Sequence, residues 1–106
     1  MRDVLGPFEF QILQTLLRHP RDAYGVTIRE RLKTETGREP SIGALYTTLD
    51  RLEQKGFVKS WWGEATAERG GRRKRYFAIQ APGEAALQRT QAAFTGFGGT
   101  PIPQGA

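Results

Sequence analysis

The chain has 106 residues, of which 38% are hydrophobic, which is enough for one domain with a modest core. It contains no cysteine, signal peptide or long apolar run, which excludes disulfides and cysteine-based metal sites and predicts a cytoplasmic protein with no membrane partner. The 16 basic and 11 acidic residues give a net charge of +5, which favours polyanionic partners.

The first predicted helix runs from Leu5 to His19. Its apolar residues cover roughly 200° of the helix circumference, whereas a surface helix needs a stripe of about 100°. They are Leu5, Phe8, Phe10, Ile12, Leu13, Leu16 and Leu17. We therefore expect two apolar neighbours, the domain core and either a partner subunit or a later helix of the same chain. His19, before Pro20, is expected to cap the helix end.

Two further helices are predicted before a small hairpin. Helix two runs from Gly25 to Thr36 and is capped by Gly37. Helix three begins after Ser41, a good N-cap residue, and stops at Gly56. The residues expected to face the core are Tyr24, directly before helix two, Ile28 and Leu32 on helix two, and Ile42, Leu45, Leu49 and Leu52 on helix three.

A β-hairpin follows, with predicted strands Phe57–Trp62 and Lys74–Ile79. Helix four is predicted from about Glu84 to Phe97, and residues 98–106 are expected to be disordered because they lack a core-forming pattern. The fold class is thus mainly α with a small β-hairpin. We predict a winged helix-turn-helix over residues 1–80, with a three-helix core and a two-stranded wing. An added C-terminal dimerisation helix is predicted over residues 81–97.

The excess positive charge is confined to one window, Arg69–Arg75, with the sequence RGGRRKR. Outside it, acidic and basic residues are equal in number. A localised basic patch indicates a polyanion bound at one place, and the alternative is a solvated run of charge. We expect the DNA contacts of the wing to come from Arg69, Gly71, Arg72, Arg73 and Lys74. Arg75 is expected to pair with an acid such as Glu64.

The outer face of helix three is small and polar. Gly43 and Ala44 would let the helix backbone approach the floor of a DNA major groove, and Arg51 can reach phosphate or guanine. Tyr46 lies at the edge, where its ring can pack and its hydroxyl can reach a phosphate. The alternative is a merely solvated face, which Asp50 favours because a carboxylate repels phosphate. The residues expected to contact DNA are Ser41, Gly43, Ala44, Tyr46, Thr47 and Arg51.

The two tryptophans, Trp61 and Trp62, are adjacent on a strand and must face opposite ways. One is expected in the core, and the other is exposed or covered by a neighbour. Either tryptophan could instead form the floor of a pocket for a flat aromatic ligand. The sequence has no Ser/His/Asp set, metal-ligand cluster or phosphate-binding glycine loop, so we predict no enzyme activity, metal or cofactor.

Two long runs carry a family resemblance, PSIGALYTTLDRLEQKGFVKSWWGE and GGRRKRYFAIQAPGEAAL. With LGPFEFQILQTLL and AYGVTIRERL upstream, they resemble the PadR family of bacterial transcriptional regulators. The likeness covers about Leu5 to Leu87. Its most specific parts are Leu45-Tyr46, the pattern Leu49/Arg51/Leu52/Glu53/Gly56, Trp62, and Gly71-Arg72-Arg73 before Tyr76.

The resemblance implies a homodimer that binds a near-palindromic operator in double-stranded DNA, usually as a repressor. Helix three would be the recognition helix and residues 70–75 the wing, while helix four would pack on helix one of the partner. The dimer interface would contain Leu5, Phe8, Phe10, Leu13, Leu17, Leu87, Phe94 and Phe97. Some members release DNA when a small aromatic effector binds near that interface.

The chain departs from the family pattern before helix four. Gln80 stands where the family often has Thr, which removes a capping hydroxyl. The chain also resembles the short members without a large C-terminal domain. Two other functions stay open, a winged helix that binds an acidic protein through its basic hairpin, and a small-molecule sensor with weak DNA affinity.

Overall fold

Four helices and one hairpin make up the computed structural model, which describes residues 4–64 and 73–95. The elements are α1 (Pro7–Arg18), α2 (Gly25–Thr36), α3 (Ile42–Gln54), β1 (Val58–Trp62), β2 (Arg75–Ile79) and α4 (Ala81–Thr95). The order of elements and the bounds of α2 confirm the sequence prediction. Helix α4 begins at Ala81 rather than Glu84, because Pro82 lies in its first turn, where a proline needs no N–H partner.

Local capping chemistry sets the ends of α2 and α3, as predicted. The Ser41 hydroxyl accepts a hydrogen bond from the Ala44 N–H at 3.1 Å. Gly37 has φ +76°, and Gly56, which follows α3, has φ +80°. The Gly56 N–H donates to the Glu53 carbonyl, and the Phe57 N–H donates to the Leu52 carbonyl at 3.0 Å. These bonds close the last turn of α3 and direct the chain into β1.

The core lies between the three first helices and one face of the hairpin. Its fully buried apolar side chains include Ile12, Leu13, Leu16, Ile28, Leu32, Leu45, Leu49, Leu52 and Phe77. The prediction that Ile42 faces the core is wrong, because its side chain is 43% exposed. At about 100° per residue, Ile42 lies roughly 70° from the middle of the buried stripe of α3. Thr48 is buried on that stripe instead.

The hairpin is antiparallel, with Trp61 opposite Tyr76 and Trp62 opposite Arg75. The Phe77 N–H donates to the Ala23 carbonyl at 2.8 Å, and Tyr24 forms an isolated bridge with Tyr76. The segment that enters α2 therefore pairs with β2. This pairing fixes the hairpin relative to the helices.

Helix α4 covers part of α1 within the same chain. The Leu5 N–H donates to the Thr90 hydroxyl at 3.0 Å, and Leu5 and Leu87 are buried. Part of the wide apolar face of α1 is therefore covered by a later helix of the same chain, which was one of the two predicted alternatives. Leu5, Leu13 and Leu87, predicted at the dimer interface, have little surface left for a partner.

Other residues of the predicted interface keep accessible surface. Leu17 and Phe94 are exposed, and Phe8 and Phe10 are partly buried against the core. Phe97 and the predicted tail at residues 98–106 lie outside the described residues. The dimer therefore stays a prediction, and Leu17 and Phe94 are the members of its predicted interface that are exposed among the described residues.

His19 connects the end of α1 to α2. Its N–H donates to the Thr15 carbonyl at 2.9 Å, which confirms the predicted cap. Its Nε2 also lies 2.6 Å from Glu35 Oε2, and the Thr15 hydroxyl donates to Glu35 Oε1 at 3.0 Å. Burial raises the pKa of Glu35, but these hydrogen bonds and the charges of His19 and Arg18 outweigh burial and lower it below its ordinary value of 4.5.

The lowered pKa of Glu35 predicts an acid-dependent stability. Because the folded pKa is below the unfolded one, the ionised carboxylate stabilises the fold above about pH 4.5, and this stabilisation is lost as pH falls through the folded pKa. We expect Glu35→Gln to lower the free energy of unfolding by about 1 kcal/mol at pH 6. In urea titrations from pH 6 to pH 3, the difference from wild type should shrink. Glu30→Gln, an exposed change on the same helix, is the control, and a pH-independent difference for Glu35→Gln would contradict the assignment.

Gly83 is required where α4 passes the start of β1 and the end of β2. A Cβ at this position would clash with the Phe57 carbonyl oxygen and lie 2.9 Å from Ile79 Cγ1. Overpacking costs about 1–3 kcal/mol, which exceeds the gain in helix propensity of at most about 1 kcal/mol. We therefore expect Gly83→Ala to lower the free energy of unfolding by about 1–2 kcal/mol in denaturant titration.

Gly43→Ala is the matched control. Within the described residues, no heavy atom would lie within 4 Å of a Cβ at Gly43, apart from its chain neighbours and its own helix backbone. This change should leave stability unaltered or raise it by up to about 1 kcal/mol. If both variants were equally stable, the close packing of Gly83 would not limit stability.

Candidate nucleic-acid interface

The outer face of α3 is open to solvent. Ser41, Gly43, Ala44, Thr47 and Arg51, all predicted to contact DNA, have exposed side chains or backbone. The open space around Gly43 leaves the first turns of the helix accessible at backbone level. A helix with such a start can come close to a groove floor, with longer polar side chains one turn further along.

Tyr46 lies at the edge of this face and is half-buried. Its ring packs against Phe77 with centroids 6.1 Å apart, as predicted. The hydroxyl lies against Gly25, where a Cβ would be only 2.9 Å from Tyr46 Cζ. Gly25 thus provides the space in which Tyr46 joins α3 to the start of α2. A contact of the hydroxyl with phosphate stays a prediction.

Arg75 pairs with α3 and not with Glu64. Its Nη2 lies 2.8 Å from Glu53 Oε1 and 3.0 Å from Asp50 Oδ1. The prediction of Glu64 as partner is wrong, because Arg75 follows the inner face of the hairpin toward α3. The Asp50 carboxylate, read from sequence as unfavourable for phosphate binding, therefore has a guanidinium beside it.

Two cations of the predicted wing, Arg73 and Lys74, lie at the base of the wing, where its loop enters β2. Arg73 is exposed, and its Nε donates to the Gly63 carbonyl at 2.8 Å. Lys74 is also exposed, and its Nζ lies 4.6 Å from the ring centroid of Tyr24. The contact with Tyr24 holds Lys74 near the start of α2, while Arg73 is bonded across the hairpin. Arg69, Gly71 and Arg72, the other predicted wing contacts, lie outside the described residues.

An open groove of about 400 Å³ connects the wing base to the helices. Its lining consists of Tyr24, Val26, Tyr46, Trp62, Arg73, Lys74 and Arg75. Val26 is 54% exposed at the start of α2, and sequence reasoning missed it because an apolar residue there gives no signal of its own. Through this groove, Tyr46 on the edge of α3 lies on the same surface as the wing cations Arg73 and Lys74.

Both tryptophans are exposed, so the prediction that one lies in the core is wrong. Trp61 is 45% exposed and stacks on Tyr76 at 6.0 Å between centroids, while Trp62 is 58% exposed and lines the groove. Phe77, and not a tryptophan, is the buried aromatic of the hairpin, since the tryptophans lie at the end of β1 away from Val58. The flat aromatic ligand stays a prediction.

The chemistry of this surface is that of a cation-bearing, polar binding face. The exposed hydroxyl of Thr47 and the guanidinium of Arg51 can donate hydrogen bonds, and Arg73 and Lys74 supply positive charge. In the part of the chain that the structure describes, no three His, Asp or Glu side chains are grouped to hold a metal ion. Over the same residues, every helix is too short or too polar to span a bilayer.

Solved regulators share this architecture. A PadR family transcription regulator from hypervirulent Clostridium difficile R20291 is 22% identical, with a TM-score of 0.69 over 88% of this chain and 92% of that one. A PadR-like transcription factor from Bacteroides fragilis is 25% identical, with a TM-score of 0.71 over 86% and 82%. A transcriptional regulator from Clostridium thermocellum is 24% identical, with a TM-score of 0.70 over 84% and 83%. Comparison with curated protein sequences finds no significant match.

The family model of PadR-like transcriptional regulators matches residues 12–89. This span contains α2, α3, both strands of the hairpin and the groove between them. The winged-helix DNA-binding fold predicted from the order of the elements is thereby confirmed, as is the family resemblance. From its sequence match and its fold, the chain belongs to the PadR-like family of transcriptional regulators.

Proposed function

We propose that this regulator represses transcription as a homodimer bound to a near-palindromic operator in double-stranded DNA. One observation carries the proposal: Tyr46, at the edge of the exposed face of α3, lines one groove together with the wing-base cations Arg73 and Lys74. Family membership supports transcription regulation and a DNA-binding fold. On this surface we assign the reading of base sequence to α3 and the contacts with phosphate to the wing.

Base reading is assigned to α3, lying in the major groove. Gly43 and Ala44 allow close approach of the helix start, while Thr47 and Arg51 present hydrogen-bond donors to base edges. A well-placed contact of this kind discriminates between bases by about 1–3 kcal/mol. Ser41, whose hydroxyl accepts from the helix backbone, retains its own proton for donation to a phosphate.

Phosphate binding is assigned to the wing. Arg73 and Lys74 are exposed cations held at its base, and the sequence places Arg69 and Arg72 nearby in the chain. Release of counterions from DNA makes such binding steeply salt-dependent, with a slope of about −0.9 per phosphate neutralised. The wing should therefore supply affinity for any duplex, whatever its sequence.

The homodimer would place two copies of α3 on successive half-sites. The exposed apolar side chains of Leu17 on α1 and Phe94 on α4 are the candidates for the contact between subunits. A two-fold interface of this kind requires a two-fold operator, with half-sites about 34–36 Å apart along one face of the duplex. Footprinting on DNA upstream of the gene should therefore show two symmetric protected segments.

The wing and α3 should respond differently to substitution. We expect Arg73→Ala with Lys74→Ala to weaken binding to operator and random duplex alike, about 10-fold or more at low salt, and to reduce the salt slope by about 2 per subunit. Thr47→Ala or Arg51→Ala should instead lower the ratio of operator to random affinity. Gel shifts over a series of salt concentrations measure both effects.

Arg18→Ala with Lys33→Ala is the control for net charge. It removes the same charge from exposed positions at the ends of α1 and α2. Binding should change far less than in the wing variant. If the two double variants bound equally, or if the wing variant bound like wild type, the wing would not be the affinity element.

The subunit contact is tested through its exposed apolar residues. Leu17→Glu with Phe94→Glu should weaken dimerisation at least about 10-fold, because it would bury unpaired carboxylates in the interface. Sedimentation equilibrium measures the dissociation constant. Val26→Glu, at a similarly exposed apolar residue in the groove, should leave the dimer intact. A wild-type protein that sediments only as a monomer would refute the homodimer.

A further inference from the structure

Arg75 connects three elements of the fold through one side chain. Its Nη2 lies 2.8 Å from Glu53 Oε1 and 3.0 Å from Asp50 Oδ1, both on α3. Its Nε donates to the hydroxyl of Ser60 on β1 at 3.2 Å. The guanidinium also packs 4.9 Å from the ring centroid of Phe77. The side chain thus joins β2, β1 and α3.

Glu53 completes this connection from the side of the helix. Its carboxylate accepts from the Ser60 N–H at 3.2 Å and from the Ser60 hydroxyl at 3.0 Å. The side chain of Arg75 is only 23% exposed. A planar guanidinium with several oriented acceptors holds one geometry better than a flexible ammonium group would. These contacts define the angle between the hairpin and α3.

Two consequences for DNA binding follow from this position. Arg73 and Lys74 directly precede Arg75, so the anchoring of Arg75 decides where these exposed cations leave the sheet. Asp50 is exposed on α3 beside the face that carries Gly43 and Thr47, and its carboxylate would repel phosphate. The guanidinium 3.0 Å away offsets that charge.

We propose that Arg75 is a positioning residue for operator binding. It holds the wing at the angle at which wing cations and α3 engage DNA together, and it partly offsets the charge of Asp50 on the recognition helix. This inference rests on the proposed operator binding. Its guanidinium is directed to carboxylates, so Arg75 acts through Arg73, Lys74 and α3 and not as a phosphate contact of its own.

Arg75→Met tests the positioning role, because it keeps the apolar stem and removes the guanidinium. Affinity for the operator should fall at least about 10-fold more than affinity for random duplex, since the operator requires both elements in register. Arg75→Lys should recover little, because a compact ammonium on a flexible stem does not reproduce the rigid planar fork of the guanidinium. Equal losses on both duplexes with recovery in Arg75→Lys would indicate a phosphate contact and overturn the proposal.

A double-mutant cycle with Asp50→Asn tests the charge role. The change should improve operator binding at least about 3-fold more in the Arg75→Met protein than in wild type, where the carboxylate is already offset. An equal effect in both backgrounds would show that Arg75 does not screen Asp50. Thermal unfolding of each variant confirms that the folded protein is assayed.

Glu53→Gln is the second variant, should Arg75→Met fail to fold. It keeps the shape of the acceptor and weakens its bond to Arg75, so operator affinity should again fall more than random affinity. An unchanged ratio of operator to random affinity in folded Glu53→Gln or Arg75→Met overturns the inference alone. Absence of salt-sensitive duplex binding in wild type would overturn the proposed function as well.

Discussion

The buried side chain of Phe77 is the anchor on which the geometry of the proposed DNA-binding surface depends. Its side chain is almost fully buried, and its N–H donates to the carbonyl of Ala23, directly before α2. The ring also contacts Tyr46, on the edge of α3. One residue therefore sets the hairpin against both helices of the helix-turn-helix. The ion pairs of Arg75 with α3 add to this anchoring and orient the hairpin relative to that helix.

Around this anchor, the charged side chains of the hairpin and α3 divide into paired and exposed groups. The acids of α3 nearest the hairpin, Asp50 and Glu53, are paired with Arg75 on the inner face of β2. The neighbouring Arg73 and Lys74 are exposed, and among the described residues Arg73 bonds to a backbone carbonyl and Lys74 lies over an aromatic ring. The described part of the basic window thus divides by position into an inner structural cation, Arg75, and the exposed cations Arg73 and Lys74, to which we assign phosphate binding.

Helix α4 has a structural role in its own chain and a proposed role between chains. Through Leu87 and the bond from Leu5 to Thr90 it covers one side of α1. Phe94, further along α4, stays exposed, as does Leu17 at the end of α1. A domain of this size buries a smaller fraction of its surface than a large domain does, so association of two copies would add core that one copy lacks.

Local chemistry in the sequence determined where the helices begin and end. Capping by Ser41 and the positive φ of Gly37 and Gly56 involve partners within a few residues, so sequence patterns predict them. The pairing of Arg75 was decided only by the tertiary structure, because its partner Glu53 is 22 residues away and the alternative, Glu64, is nearer in the chain. The exposure of the tryptophans was also decided only by the tertiary structure. Alternation along a strand predicts which residues share a face, but it does not predict which face is covered or how much of the strand is covered. The sequence thus determined the elements, the family and the place of the positive charge, and packing decided which of those charges remain available to DNA.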